Sequence, residues 1–164
     1  MSWSSRRLFL LSAAALAGCG FTPAYGPGGG GQRLRGAVLV DEPDSRPAYL
    51  LTRRFEERLG RSDPARARYR LSYAITLQDR AIAISSTNVT TRYNKLGTVR
   101  WALRDAQTDQ ELLSGEAESF NSYSASGTPV ATEAAERDAE ARLMTILTDQ
   151  IVTRLTAEAG RLPS

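Results

Sequence analysis

Few side chains in this chain can do chemistry, and their types narrow it sharply. There is no histidine, and Cys19 is the only cysteine. A His or Cys metal site and a Ser-His or Cys-His nucleophile pair are therefore excluded. No Gly-x-Ser-x-Gly elbow occurs, which disfavours a lipid-anchored hydrolase. What remains is one thiol, preceded by Leu16-Ala17-Gly18, and a set of arginines that includes Arg80 and Arg92. Much of enzymology is thereby excluded, and no cofactor is expected.

The elements ahead of Cys19 explain its use. Arg6 and Arg7 precede an apolar run from Leu8 to Ala17, the charged-then-apolar order of a secretory signal. The run is short for a spanning helix, which needs roughly 20 apolar residues. Leu16-Ala17-Gly18-Cys19 resembles a lipobox, in which the cysteine thiol is acylated, with chains such as palmitate, and becomes the first mature residue. More than one acyl chain is needed for stable anchoring. Gly20 stands where Asp would signal inner-membrane retention, so the resemblance points to the outer membrane. Ser5-Arg6-Arg7-Leu8-Phe9-Leu10 also resembles a twin-arginine motif, and the export route stays open.

Residues 1–18 are thus expected to be signal peptide, 19–32 a lipidated tether and 33–164 one α+β domain. The tether reading rests on Pro23, Pro27 and the run Gly28 to Gly31. No Gly-Lys-Ser/Thr follows, so the glycines are not a phosphate loop. Without Arg6 and Arg7 the 21 basic residues fall to 19 against 18 acidic ones, and a net charge near +1 gives no case for nucleic acid.

Val38-Leu39-Val40 suits a buried strand. Ser45-Arg46-Pro47 opens an amphipathic helix whose Leu51, Phe55 and Leu59 recur four apart until Gly60. Tyr69, Leu71, Tyr73, Ile75 and Leu77 alternate with polar residues, and the pattern resumes through Val99, Trp101 and Leu103. Turning the hairpin about Ser86 sets Leu71 against Trp101, Tyr73 against Val99 and Tyr69 against Leu103. That register also sets Arg80 opposite Arg92 and turns Ile82 and Ile84 outward, which suggests a tip that meets a partner or an amphipathic anion. A local bulge near Arg80 that swaps the parity is the alternative. Gly97 marks a bulge or a close approach. Glu111 to Tyr123 is a fourth strand, with Leu103 against Leu113 and Arg100 paired with Glu116. Thr128-Pro129 opens a final helix to about Ala159, with a stripe of Ala135, Ala139, Leu143, Leu147, Ile151 and Leu155 widened by Ile146 and Val152. Its acidic run, Glu133 to Glu140, reads as a solvated face. The order β-α-β-β-β-α predicts a four-stranded sheet covered on one face by two helices.

Cys19-Gly20-Phe21-Thr22-Pro23-Ala24-Tyr25-Gly26, Tyr93 with Leu96 to Arg100, Ser114 to Ala117, and Tyr123 through Ala135 together are similar to the LptE family of lipopolysaccharide-assembly lipoproteins of Gram-negative bacteria. The resemblance implies an outer-membrane lipoprotein on the periplasmic side that plugs the LptD β-barrel and assists insertion of lipopolysaccharide into the outer leaflet. Cys19 would carry the lipid, and Arg80, Ile82, Ile84 and Arg92 would meet the barrel or lipopolysaccharide. Direct contact with lipopolysaccharide stays open, because Thr132 and Glu133 stand where a basic group is expected. An auxiliary lipoprotein of a lipid-trafficking ABC system is the alternative reading.

Overall fold

Alternation of apolar and polar residues builds the centre of the molecule, which a computed structural model describes over residues 26, 29–84 and 89–163. Cys19 and the hairpin turn at 85–88 lie outside the described residues. Three long antiparallel strands, β2 (Tyr69–Ile84), β3 (Thr90–Asp105) and β4 (Glu111–Ser124), form a meander. A short strand, β1 (Val38–Val40), joins β2 in parallel, so the sheet order is β1-β2-β3-β4. Helices α2 (Arg46–Leu59) and α3 (Pro129–Glu158) cover one face, as expected, and the other face has no helix among the described residues. Ser45 caps α2 and Thr128 caps α3 through their side-chain oxygens.

The core lies where the two helices meet odd-numbered strand residues. Leu71, Val99 and Leu103 are fully buried against Phe55, Leu143, Leu147, Ile151 and Leu155. Such side chains contribute about 1.5–3 kcal/mol each. Burial then fades along β2, from Tyr69 and Leu71 to half-buried Ile75 and Leu77 and exposed residues beyond. One end of the sheet is packed, and the hairpin end is largely solvated. Gly97 is a close approach and not a bulge: a Cβ there would stand 3.0 Å from both Leu143 and Leu147 methyl groups, and pairing runs through it without interruption.

Several expectations are corrected. The β2–β3 register is shifted by two residues: Leu71 faces Leu103, Tyr73 faces Trp101 and Ile75 faces Val99. A shift of two keeps every side chain on its own face, so alternation cannot detect it. Ile146 is 40% exposed and does not widen the α3 stripe; Met144 and Thr148 are buried there instead. The glycine run is not all tether, because Gly30 to Gln32 belong to a short helix, α1 (Gly30–Leu34), which packs on the end of α3 and the 3-10 turn Ala159–Arg161. Arg33 donates to the Ala159 carbonyl at 3.1 Å, and Leu34 is fully buried.

A Cβ on Gly30 would sit 2.3 Å from the Thr156 carbonyl oxygen and 2.8 Å from Ala159 Cβ, whereas one on Gly160 would meet nothing within 4 Å. Gly30→Ala should therefore lower stability by about 1–3 kcal/mol, and Gly160→Ala should stay within about 0.5 kcal/mol. Urea unfolding of the two variants checks the pair, and equal midpoints would show that α1 is not packed.

Candidate functional site

The hairpin end carries the four tip residues singled out in the sequence, and the structure rearranges them. Arg80 stands opposite Asn94, not Arg92, while Arg92 pairs with Ala83 across an irregularity between Ala81 and Ile84. The register shift is the cause, and it makes the two arginines diagonal neighbours on the sheet's helix-free face instead of a directly opposed pair. Neither forms an ion pair among the described residues. Pairing is irregular there, and Ile82 and Ile84 are exposed, at 46% and 62%. Asn94 and Ser122 complete the polar row beside Arg80, their side-chain oxygens 2.6 Å apart. Two guanidinium groups next to exposed aliphatic side chains can hold an anion and an apolar chain together.

Phe120, 59% exposed on the same face, was missed in the sequence. It faces Leu96, so an apolar pair stands among Gln78, Thr98 and Glu118. Its signal was an aromatic residue on the polar parity of β4. Arg100 pairs with Glu116 at 2.7 Å as expected, and at 78% exposure that bond adds little to stability.

The larger omission is a buried ion cluster behind the tip. Lys95 is 3% exposed on the helix side of β3. Its Nζ donates to Asp79 Oδ2 at 2.8 Å and to Glu136 Oε1 at 2.9 Å. Tyr123 donates to Asp79 Oδ1 at 3.3 Å and stacks on Tyr93 with ring centres 5.4 Å apart. Asp79 comes directly opposite Lys95 only in the observed register. The cluster thus ties β2, β3, β4 and the first turns of α3 together. Burial pushes the Lys95 ammonium down, but hydrogen bonds to Asp79 and Glu136 outweigh it, and the net shift is upward. Burial, then the charges of Asp79 and Glu136, push the Tyr123 phenol up to about 12.

The acidic run of α3 accordingly divides. Glu133 with Arg137 and Asp138 with Arg142 are the expected surface pairs. Glu136 and Glu140 leave the helix surface to meet Lys95 and Arg46. Farther along, Asp149 accepts from Arg54 Nε at 3.1 Å and Nη2 at 3.0 Å, and from Arg58 at 3.1 Å, which clasps α2 to α3. No group of three His, Cys, Asp or Glu suited to a metal occurs among the described residues.

The family model described as lipopolysaccharide-assembly, LptE, matches residues 37–155, from just before β1 to the end of the buried part of α3. No curated protein sequence matches significantly. A candidate lipoprotein from Caulobacter crescentus CB15 has a similar crystal structure, with a TM-score of 0.68, 21% identity and coverage of 80% of this chain and 96% of that one. Lipoprotein B from Nitrosomonas europaea follows at a TM-score of 0.57, 15% identity and coverage of 75% and 83%. The rare lipoprotein B of Shewanella oneidensis gives 0.56, 12% identity and coverage of 76% and 96%. At these identities the structures share the fold.

Lys95→Ala should destabilise the protein by about 2 kcal/mol, less than the loss for a fully buried pair because Asp79 and Glu136 can rehydrate. Stability should also fall with alkali. Lys95 and Tyr123 both hold protons more tightly folded than unfolded, so their contributions are complete below about pH 10 and are lost as pH rises through the folded values, about 12 for Tyr123. Urea titrations from pH 8 to 12 check this, with Tyr123→Phe expected to flatten the curve above pH 10. A wild-type curve without an alkaline decline would remove the linkage.

Proposed function

On the premise that this chain belongs to the LptE family of lipopolysaccharide-assembly proteins, we propose that it is a lipoprotein acylated at Cys19 and held at the periplasmic side of the outer membrane. There it binds and plugs an LptD-like β-barrel and assists lipopolysaccharide on its way to the outer leaflet. The family match over residues 37–155 carries the reading. Among the described residues no helix is long and apolar enough to cross a membrane, which agrees with attachment through a lipid.

The shape of the domain supports a plug. The interior of a large barrel is polar and wet, and the helix-free sheet face is chiefly Ser, Thr, Gln, Arg and Glu. The chain enters the domain through α1, which packs at the C-terminal end of α3, while the hairpin end lies by the N-terminal turns of α3. Thirty helical residues separate the two ends by about 45 Å. An anchor at Cys19 would therefore leave Arg80, Ile82, Ile84 and Arg92 directed away from the membrane attachment and into the partner. Lipid A offers phosphates beside acyl chains, which suits that combination of arginine and isoleucine.

Affinity purification of the Cys19-lipidated protein in mild detergent tests the partner. A large outer-membrane β-barrel at equal stoichiometry is expected, and an inner-membrane transporter in its place would favour the ABC-auxiliary reading. Arg80→Glu combined with Arg92→Glu should weaken binding to the barrel or to lipopolysaccharide about tenfold, the loss of roughly one charge-assisted contact. Unchanged binding by the double variant at unchanged folded stability would remove the tip from the interface.

A further inference from the structure

Among the described residues, strand β2 has a long side with no neighbour. β1 pairs with Tyr69, Arg70 and Leu71 only, and its chain then departs: the Asp41 N–H bonds to the Leu71 carbonyl, Pro43 follows, and Ser45 turns it into α2. Beyond Leu71 the outer side of β2 receives no backbone hydrogen bond among the described residues. The pattern on either side of that point says which groups are open. Tyr69 N–H and Leu71 C=O are directed to the β1 side, and in an antiparallel ladder both backbone groups of a residue point the same way. The N–H and C=O of Tyr73, Ile75, Leu77 and Asp79 therefore face outward, while those of Ser72, Ala74, Thr76 and Gln78 are used by β3.

Open edges are ordinarily guarded by charge, proline or bulges. β4, the other edge, carries Glu111, Glu116 and Glu118. The Tyr73–Asp79 edge has no proline or glycine, and its one charge, Asp79, is committed to Lys95. Ile75 and Leu77 lie half-buried against the core, leaving an apolar ledge along the helix side of the edge. On the opposite side Arg80 stands without an ion-pair partner among the described residues.

We infer that the β2 edge from Tyr73 to Asp79 accepts an extended strand of the barrel partner, which adds to the sheet where β1 stops. This rests on the proposed barrel complex and assigns its contact. Main-chain hydrogen bonds to the four open residues supply the attachment, and alternate side chains supply the selectivity. The incoming strand places apolar side chains over Ile75 and Leu77 and presents a carboxylate toward Arg80. A two-sided strand of this kind completes the sheet and covers an edge that would otherwise template aggregation.

Residue-resolved amide hydrogen exchange, on the free chain and on its purified complex with the barrel in detergent, tests the inference. In the free chain the Ile75, Leu77 and Asp79 amides should exchange far faster than the ladder amides of Thr76 and Gln78. In the complex they should slow by on the order of 100-fold. A complex that forms without slowing these amides overturns the edge assignment and leaves the barrel partnership standing, whereas failure to form any complex overturns both. Slowing in the free chain that accompanies a dimer mass would make the occupant a second copy and overturn the barrel strand. Leu77→Pro removes an outward N–H and leaves the β3 ladder intact, so barrel binding should fall about tenfold at unchanged circular dichroism. Equal binding by that folded variant also overturns the proposal, and if the variant does not fold the exchange comparison decides alone.

Discussion

One buried ammonium group holds the hairpin end of this molecule together. Lys95 sits on the parity of β3 otherwise given to Tyr93, Gly97, Val99 and Trp101, where a charge is costly unless it is answered. Asp79 and Glu136 answer it from two other elements. Because Asp79 reaches Lys95 from the directly opposed position, the ion pair selects one β2–β3 register from those that alternation permits. Because Glu136 reaches it from above, the first turns of α3 are held over a part of the sheet with little apolar burial.

The domain therefore has two differently built ends. At the α1 end, Leu34, Leu59, Tyr69, Leu155 and Ala159 close an apolar core, and the Tyr69 hydroxyl donates to the Pro163 carbonyl at 2.7 Å. At the hairpin end the stabilising contacts are ionic and aromatic, with Tyr93 and Tyr123 stacked beside the lysine. That division accords with the proposed attachment at the α1 end and the proposed partner contact at the hairpin end. Long strands that outrun their helical cover keep polar groups and backbone edges available for contact.

Electrostatics also orient the helices. Asp149 takes three hydrogen bonds from Arg54 and Arg58, and Glu140 meets Arg46, so α2 is fastened to α3 along its length. These residues have ordinary spacing on their own helices. Only the packing angle brings them together, as it brings Glu136 to Lys95.

Local pattern was sufficient for most elements. The fourfold spacing of Leu51, Phe55 and Leu59, the caps at Ser45 and Thr128, the stop at Gly60 and the alternation from Tyr69 to Leu77 each act within one turn or one strand, so residue order alone determined the α+β class and the covered face. The pairing of Leu103 with Leu113 and Arg100 with Glu116 was legible for the same reason, since a short polar turn leaves few registers. The family resemblance was likewise written in the order of local motifs. Tertiary structure decided what depends on distant partners: the two-residue shift that separated Arg80 from Arg92, the recruitment of Gly30 and Gly31 into a helix against Thr156 and Ala159, the burial of Lys95, and the length of β2 left without a neighbour among the described residues. A period of two cannot distinguish registers two residues apart. The energy that does so comes from a carboxylate on another strand and another on a helix some forty residues away.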